Sequence, residues 1–337
     1  MKPAALGLAL ATALFGQQSA LDPSGPNAAA IRKLGVFFTG LLGLIFLIVI
    51  VLAIIPLVRR RRDIDQEQPV GAHRPSENTE RKLSAIVGIA TGVTVLILFG
   101  LVVVSVSVGK TISGPSDRSH SLAIEVTGNQ WWWYVRYAND DPRRVVVTAN
   151  ELHIPVGRPV MIRGTSNDVI HSFWVPSLQG KRDLIPSRVT TEWIQADRPG
   201  NFRGQCAEFC GLQHAHMALW VVAQTPDEFE KWFTHQLEPA VMPAGEHEQR
   251  GREVFLNSAC VLCHSIQGTP ASAQIAPDLT HFGSRLTIAA GTLQNNRGNL
   301  AGWIADPQRI KPGTKMATVP VKSEDMQPLI DYLESLL

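Results

Sequence analysis

The sequence predicts a membrane-anchored multidomain protein: a two-helix transmembrane hairpin, then an all-β domain, then a small all-α domain. Three observations predict it. Residues 35–58 and 84–109 carry no charge at all. Residues 121–222 read as β-branched and aromatic runs broken by Gly, Pro and Asn, the texture of strands and turns. From Arg250 the texture changes again, to a helical "GREVFLNSACVLCH" and a closing amphipathic "SEDMQPLIDYLESLL", for which Ser323 is the expected N-cap.

Each uncharged segment is long enough to cross a bilayer. The alternative, two buried core helices, fails on length and on the missing polar face. Between the spans lies a loop, 59–83, that opens with Arg59, Arg60, Arg61 and Arg62 and closes with Arg81 and Lys82. Short loops rich in Arg and Lys stay in the cytoplasm. Everything after Lys110 is therefore expected on the exoplasmic side. Residues 1–20, with Lys2, a short apolar core and small residues, read as a secretory signal. That leaves 21–34 as a short exposed N-terminal arm. The net charge of +2 gives no nucleic-acid or acidic-substrate reading.

The exported half divides into a β-domain over 110–236, a Pro- and Gly-marked linker over 237–249 and a helical domain over 250–337. Strands of this number suggest one sandwich or barrel. It ends on a helix, "TPDEFEKWFTHQ", with Thr225 as N-cap and Pro226 in the first turn.

The chemistry concentrates in "CAEFCGLQHAHM", Cys206 to Met217. The chain has four cysteines, Cys206, Cys210, Cys260 and Cys263. In an oxidising exterior two disulfides are the plain reading. Both pairs, however, are close in sequence and each is followed by histidine, which fits ligand duty better. Zinc sites favour two Cys pairs, whereas the nearby partners here are His214 and Met217, and a thioether points to copper or haem iron. A one-copper site on a β-sandwich uses one Cys, two His and a weak Met. Cys210, His214 and Met217 supply three of these, and His171 in "SNDVIHSFWVP" the fourth. Cys206 is one thiol more. Two thiolates can bridge two coppers, each with one histidine and one weak axial ligand. Charge spread over two ions keeps bond lengths nearly constant on reduction.

The hairpin, the strand domain and this loop, which fits C-x-E-x-C-x-x-x-H-x-x-M, resemble subunit II of haem–copper cytochrome oxidases. The resemblance implies a cupredoxin-like fold and a binuclear copper centre, CuA. Cys206 and Cys210 then bridge the coppers, His171 and His214 are terminal ligands, and Met217 and the carbonyl of Glu208 are weak axial ligands. It also implies a Mg ion, shared with subunit I, on the carboxylate of Glu208. His216 falls outside the pattern. "GNQWWWYVRY" is similar to the family's G-x-Q-W-x-W, whose first tryptophan, here Trp131, lies on the electron-entry route. For Trp132 and Trp133 an aromatic cluster at the membrane surface is the plainer reading. "GKRDLIPSRV" is similar to K-x-D-x-x-P-G-R, with Ser187 in place of glycine and Lys181 and Asp183 near the subunit boundary.

"CVLCH" is the attachment signature of a c-type haem, with Cys260 and Cys263 as anchors and His264 as proximal ligand. A thioredoxin-like reading lacks its α/β context, and zinc would find only His281 as a further obvious ligand. Met316 in "IKPGTKMATV" is the expected sixth ligand, similar to the P-G-x-x-M of class I cytochromes c, with Ala317 where proline is common. Met326 sits at core spacing in the last helix. "IAPDLTHFGSR" resembles the cytochrome c domain fused to subunit II in caa-type enzymes, so the resemblance runs from Leu21 to Leu337.

It implies an electron-entry subunit of a respiratory oxidase in the bacterial inner membrane. Electrons pass from an external donor, a soluble cytochrome c or a quinol–cytochrome c reductase, through haem c to CuA. They continue to subunit I, which reduces O2 to water, with subunit III as a further partner and no catalytic residue in this chain. The tether makes the first transfer intramolecular. Ser84 stands where many relatives carry a proton-channel glutamate, and Glu80 is the expected substitute. Quinol-oxidase subunits II lack these copper ligands. The electron-entry subunit of a copper-containing nitric oxide reductase and a membrane-anchored carrier without a catalytic partner stay open as alternatives.

Overall fold

The computed structural model describes residues 18–60, 76–114 and 121–337. It divides into two units, Ala30–Ser113 and a second that joins the residues up to Ala29 to Gly114–Leu337. The expected signal, up to residue 17, and residues 61–75 of the expected loop lie outside the described residues.

Helix α1 spans Pro26–Arg60 and α2 spans Glu77–Ile112. Their apolar side chains are exposed rather than packed, as in a segment whose solvent is lipid. Both helices overrun the uncharged cores that predicted them, because flanking Arg, Lys and Glu are themselves good helix formers. Two expectations change accordingly. Residues 77–83 are helix, not loop. Nor are residues 21–34 a free arm, since α1 begins at Pro26, where a first-turn proline is favourable. Ser24, Asn27 and Ala28 are buried. The Ser24 N–H donates to the Ser177 carbonyl at 2.7 Å, and Asn27 Nδ2 donates to the Trp193 carbonyl at 3.1 Å.

The β-domain is a sandwich of two five-stranded sheets. The first runs β3 (Val146–Ala149), β2 (Trp132–Tyr137), β1 (Leu122–Asn129), β5 (Val160–Ser166), β8 (Thr190–Ile194). The second runs β4 (Glu151–Pro155), β10 (Ala218–Gln224), β9 (Gly200–Cys206), β6 (His171–Trp174), β7 (Arg182–Leu184). Strands β1 and β5, and likewise β4 and β10, pair in parallel, and the other neighbours pair antiparallel. Alternation along β1 and β2 sends Ile124, Val126, Trp133 and Val135 inward to meet Leu152, Phe173 and Val221. Helix α3 (Pro226–Gln236) starts at the expected N-cap, Thr225, which forms a capping box with Glu228, and closes one flank with Phe229 and Phe233.

The helical domain opens with α4 (Glu246–Leu256), inside the expected linker, and continues through a 3-10 turn over Ala259–Leu262. It then runs through a short ladder (Thr287–Ile288 with Leu293–Gln294), α5 (Arg297–Ala305), α6 (Pro307–Ile310) and α7 (Ser323–Ser335). Ser323 is the first residue of α7 and not its cap; Lys322 holds that position without a side-chain bond. Helices α4 and α7 cross at Gly251, where a Cβ would come within 1.9 Å of the Pro328 carbonyl oxygen. Only a glycine allows that approach. Phe255, Leu300, Leu329, Tyr332 and Leu333 fill the core around the crossing.

Candidate metal centre and haem site

The register of the second sheet gathers the sulfur ligands. Strand β9 ends at Cys206 and β10 begins at Ala218, which pairs opposite Gln205, so residues 207–217 close the turn between neighbouring strands. On the other side of β9, Phe173 pairs with Cys206, which brings His171 at the start of β6 alongside. Cys206 Sγ lies 3.7 Å from Cys210 Sγ, 3.8 Å from His171 Nδ1 and 3.2 Å from the Glu208 carbonyl oxygen. Cys210 Sγ lies 3.6 Å from His214 Nδ1 and 3.8 Å from Met217 Sδ. Each sulfur thus has one imidazole and one weak donor of its own. The four cysteines are free thiols. Two thiolates, two imidazoles, a thioether and a carbonyl form a donor set that suits copper.

Burial here is deep: His171, Cys206, Cys210 and Met217 are all shielded, while His214 and Glu208 are half-buried. The two thiols titrate as a pair. The contact with Cys210, helped by the His171 ring, holds Cys206 down at about 3, while Cys206 and burial push Cys210 up. One thiolate is therefore favoured without any metal, and a bound cation displaces the remaining proton.

Several residues that the sequence reading missed hold these ligands in place. Asp168 Oδ1 lies 2.8 Å from His171 Nε2, which leaves Nδ1 to face Cys206. Asp168 Oδ2 in turn accepts the Gln130 N–H at 2.6 Å. The Cys210 carbonyl accepts both Gln130 Nε2 and the Trp131 indole N–H, each at 2.9 Å. At Gly128 a Cβ would approach His171 Cδ2 to 2.6 Å, so the missing side chain makes room for the imidazole. An acid three residues before a histidine was the available signal for Asp168. The contacts of Gln130 depend on folding alone.

The aromatic run divides. Trp131 is 9% exposed, and Trp133 is fully buried, edge-on to His171 and Phe173. Trp133 is therefore core, not a surface aromatic, because the alternation of β2 points it inward. Trp132 is half-buried beside Tyr134. His216 is exposed and bonds Gln213 at 2.8 Å, outside the sulfur cluster. Ser187 has φ +62°, the left-handed region that favours the glycine of the family pattern. Lys181 is exposed and Asp183 half-buried.

In the helical domain Cys260 lies in the 3-10 turn, and Cys263 caps it. His264 Nδ1 lies 2.7 Å from the Pro277 carbonyl, which fixes the ring and leaves Nε2 for a ligand. Burial lowers its pKa and keeps the imidazole neutral, the form that binds metal. Met316 is half-buried on the loop after α6. Gln308 organises that loop: its Nε2 donates to the carbonyls of Thr314 at 2.8 Å and Met316 at 2.9 Å, and its Oε1 accepts the Gly313 N–H at 2.9 Å. Met326 packs against the helical core. Two free thiols, a fixed neutral imidazole and a thioether on a braced loop fit a c-type haem.

Residues 139–224 match the family model described as cytochrome c oxidase subunit II, periplasmic domain, and residues 248–337 match that of cytochrome c. Cytochrome c oxidase subunit 2 of Alkalihalophilus pseudofirmus is 35% identical over 96% of this chain and 93% of its own length. The Bacillus subtilis protein of the same name is 28% identical over 94% of this chain and 91% of its own. The solved periplasmic domain of subunit II of cytochrome oxidase from Bradyrhizobium japonicum is 30% identical. It covers 35% of this chain and 94% of its own, with a TM-score of 0.33. The chain belongs to the cytochrome c oxidase subunit II family: a membrane-anchored subunit of a haem–copper oxidase, with an exoplasmic cupredoxin-like domain and a cytochrome c domain fused behind it.

Proposed function

We propose that this chain is the electron-entry subunit of a respiratory terminal oxidase in a bacterial inner membrane. An external donor, a soluble cytochrome c or a quinol–cytochrome c reductase, delivers electrons to a covalently bound haem c. They pass on through CuA to subunit I, which reduces O2 to water beside subunit III. The observation that carries this reading is the pairing in loop 206–217, where each of two adjacent sulfurs has its own imidazole and its own weak donor.

Bound in these two sites, copper and haem iron supply one-electron carriers. The chain's own residues do the rest. Cys206, Cys210, His171, His214, Met217 and the Glu208 carbonyl would hold the copper. Asp168 fixes the His171 ring, and Gln130 and Trp131 fix the Cys210 carbonyl, so these groups are held in place before a metal binds. Cys260, Cys263, His264 and Met316 would hold the haem. The Glu208 carboxylate remains for Mg at the boundary with subunit I, and Glu80 for proton entry.

Elemental analysis with EPR of the full-length chain, separated from subunit I and that subunit's own copper and haem, tests the proposal. We expect a copper pair for each haem c iron, a mixed-valence copper signal, and loss of that signal alone in Cys206→Ser. A single copper per haem c in this chain overturns it.

A further inference from the structure

One charged side chain in the exported half has no place in the scheme above. Lys311, in the loop between α6 and Met316, is 2% exposed. Lysine is almost never fully buried without a counter-charge. Among the described residues no carboxylate lies within ion-pair distance of Lys311. Its Nζ instead donates to two carbonyls, that of Trp131 at 2.8 Å in the β-domain and that of Ala289 at 3.1 Å in the helical domain. Burial pulls its pKa down to about 7. Such a desolvated amine is a costly feature for a linker loop, and it sits where the two redox domains meet.

The surrounding contacts point the same way. Gln213 Nε2, in the copper-ligand loop, donates to the Pro312 carbonyl at 2.6 Å. Gly313 has φ +83°, and a Cβ there would approach Leu212 Cδ2 to 2.9 Å and Trp131 Cη2 to 3.8 Å. Lys315 Nζ lies 3.4 Å from Asp168 Oδ2, on the carboxylate that holds His171. The Ala218 N–H donates to the Ala290 carbonyl at 2.9 Å. The segment 311–316 therefore touches the backing of both copper-site halves, through Trp131 to Cys210 and through Asp168 to His171. The same segment carries Met316.

We propose that Lys311 is a positioning residue for the electron step between haem c and copper, its buried Nζ clamping the Met316 loop onto the backbone of Trp131. The clamp rests on the reading that haem c feeds the copper pair. It also means that the tethered domain covers Trp131, so an external donor reduces the haem and not the copper directly. A domain held only by its linker would sample many poses, and the observed rate scales with the fraction that is docked.

The test uses the assembled complex. Haem c is reduced by a photoexcited ruthenium complex, and its reoxidation by copper is followed optically in wild type, Lys311→Met and Gln213→Leu. Metal content, the copper EPR signal, the haem spectrum and both potentials are recorded for each. A failure of the functional reading appears in wild type itself, as a missing copper pair or haem. We expect Lys311→Met to slow the transfer about tenfold or more with spectra and potentials unchanged. Gln213→Leu, from the opposite side of the contact, should slow it severalfold. Wild-type Lys311 should also resist acetylation that modifies Lys315. A rate within about twofold of wild type in Lys311→Met overturns the proposal. If that variant does not assemble, the same result in Gln213→Leu overturns it.

Discussion

The indole N–H of Trp131 donates to the carbonyl oxygen of Cys210 at 2.9 Å, and Gln130 Nε2 donates to the same oxygen at 2.9 Å. The ring proposed for electron entry is thus one hydrogen bond from the backbone of Cys210, a proposed copper ligand. Trp131→Phe keeps an aromatic ring and the backbone carbonyl that Lys311 uses, but loses that bond. One neutral hydrogen bond is worth about 1 kcal/mol, so the fold and the copper EPR signal should survive, with Gln130 still in place. Haem-to-copper transfer should fall by about tenfold, the factor that roughly 1.4 kcal/mol represents. An unchanged transfer rate removes Trp131 from the route.

Asp168 is the second lever on the copper site. It accepts from the Gln130 backbone and sits against the His171 ring. Partners of this kind set the tautomer and aim of a ligating imidazole, and losing one typically weakens metal binding about 10- to 100-fold. Asp168→Asn should therefore bind copper about 10- to 100-fold more weakly in a titration of the metal-free chain, with haem content unchanged. Equal copper affinity would show that packing against Gly128 alone holds the imidazole.

How much of this was legible in the sequence follows from the range of each interaction. The proposed copper loop was readable because five of its six donors lie within twelve residues, Cys206 to Met217, where spacing and geometry nearly coincide; only His171 comes from a distant strand. Runs of β-branched and aromatic residues placed the β-domain, and Thr225 as N-cap with Pro226 in the first turn placed α3. The ends of α1 and α2 were not readable from hydropathy, which reports lipid contact and not where backbone hydrogen bonding stops. Gln130, Asp168 and Lys311 were hidden for another reason. Gln130 and Lys311 act on partners far away in the chain, Lys311 on Trp131 being the longest reach, and Asp168, though three residues from His171, is tied to Gln130 across the fold. A buried lysine looks like any surface lysine until the two domains are folded together.

The two methionines of the helical domain should separate cleanly. Met316 lies on the loop braced by Gln308, and Met326 packs on the core with Leu329 and Leu333. Met316→Ala should convert the low-spin haem c spectrum to a high-spin or water-ligated one and lower its potential, since a thioether ligand raises it. Met326→Ala should leave the spectrum intact and cost about 2–5 kcal/mol of stability, at the lower end because the side chain is only partly buried. The reverse pattern would move the sixth ligand to α7.

Glu192 gives the pH-dependent prediction. It is 6% exposed on β8, and its Oε1 has no hydrogen-bond partner among the described residues. Burial raises its pKa well above the usual 4.5, and the charge of Arg182 only partly offsets this. In the unfolded chain the carboxyl ionises near 4.5, whereas in the fold it keeps its proton to higher pH. Between those two values the unfolded chain binds fewer protons, so stability falls as pH rises, and the loss is complete above the folded value. Glu192→Gln carries no such proton. Its melting temperature should match wild type near pH 4 and exceed it progressively toward pH 8. The gain should reach about 1–3 kcal/mol, or a few degrees for a chain of this size. Circular dichroism of the β-domain signal during heating at several pH values measures it. A variant that melts no higher than wild type at pH 8 would mean that the ionised carboxylate is held by a partner, and the sign of the prediction would reverse.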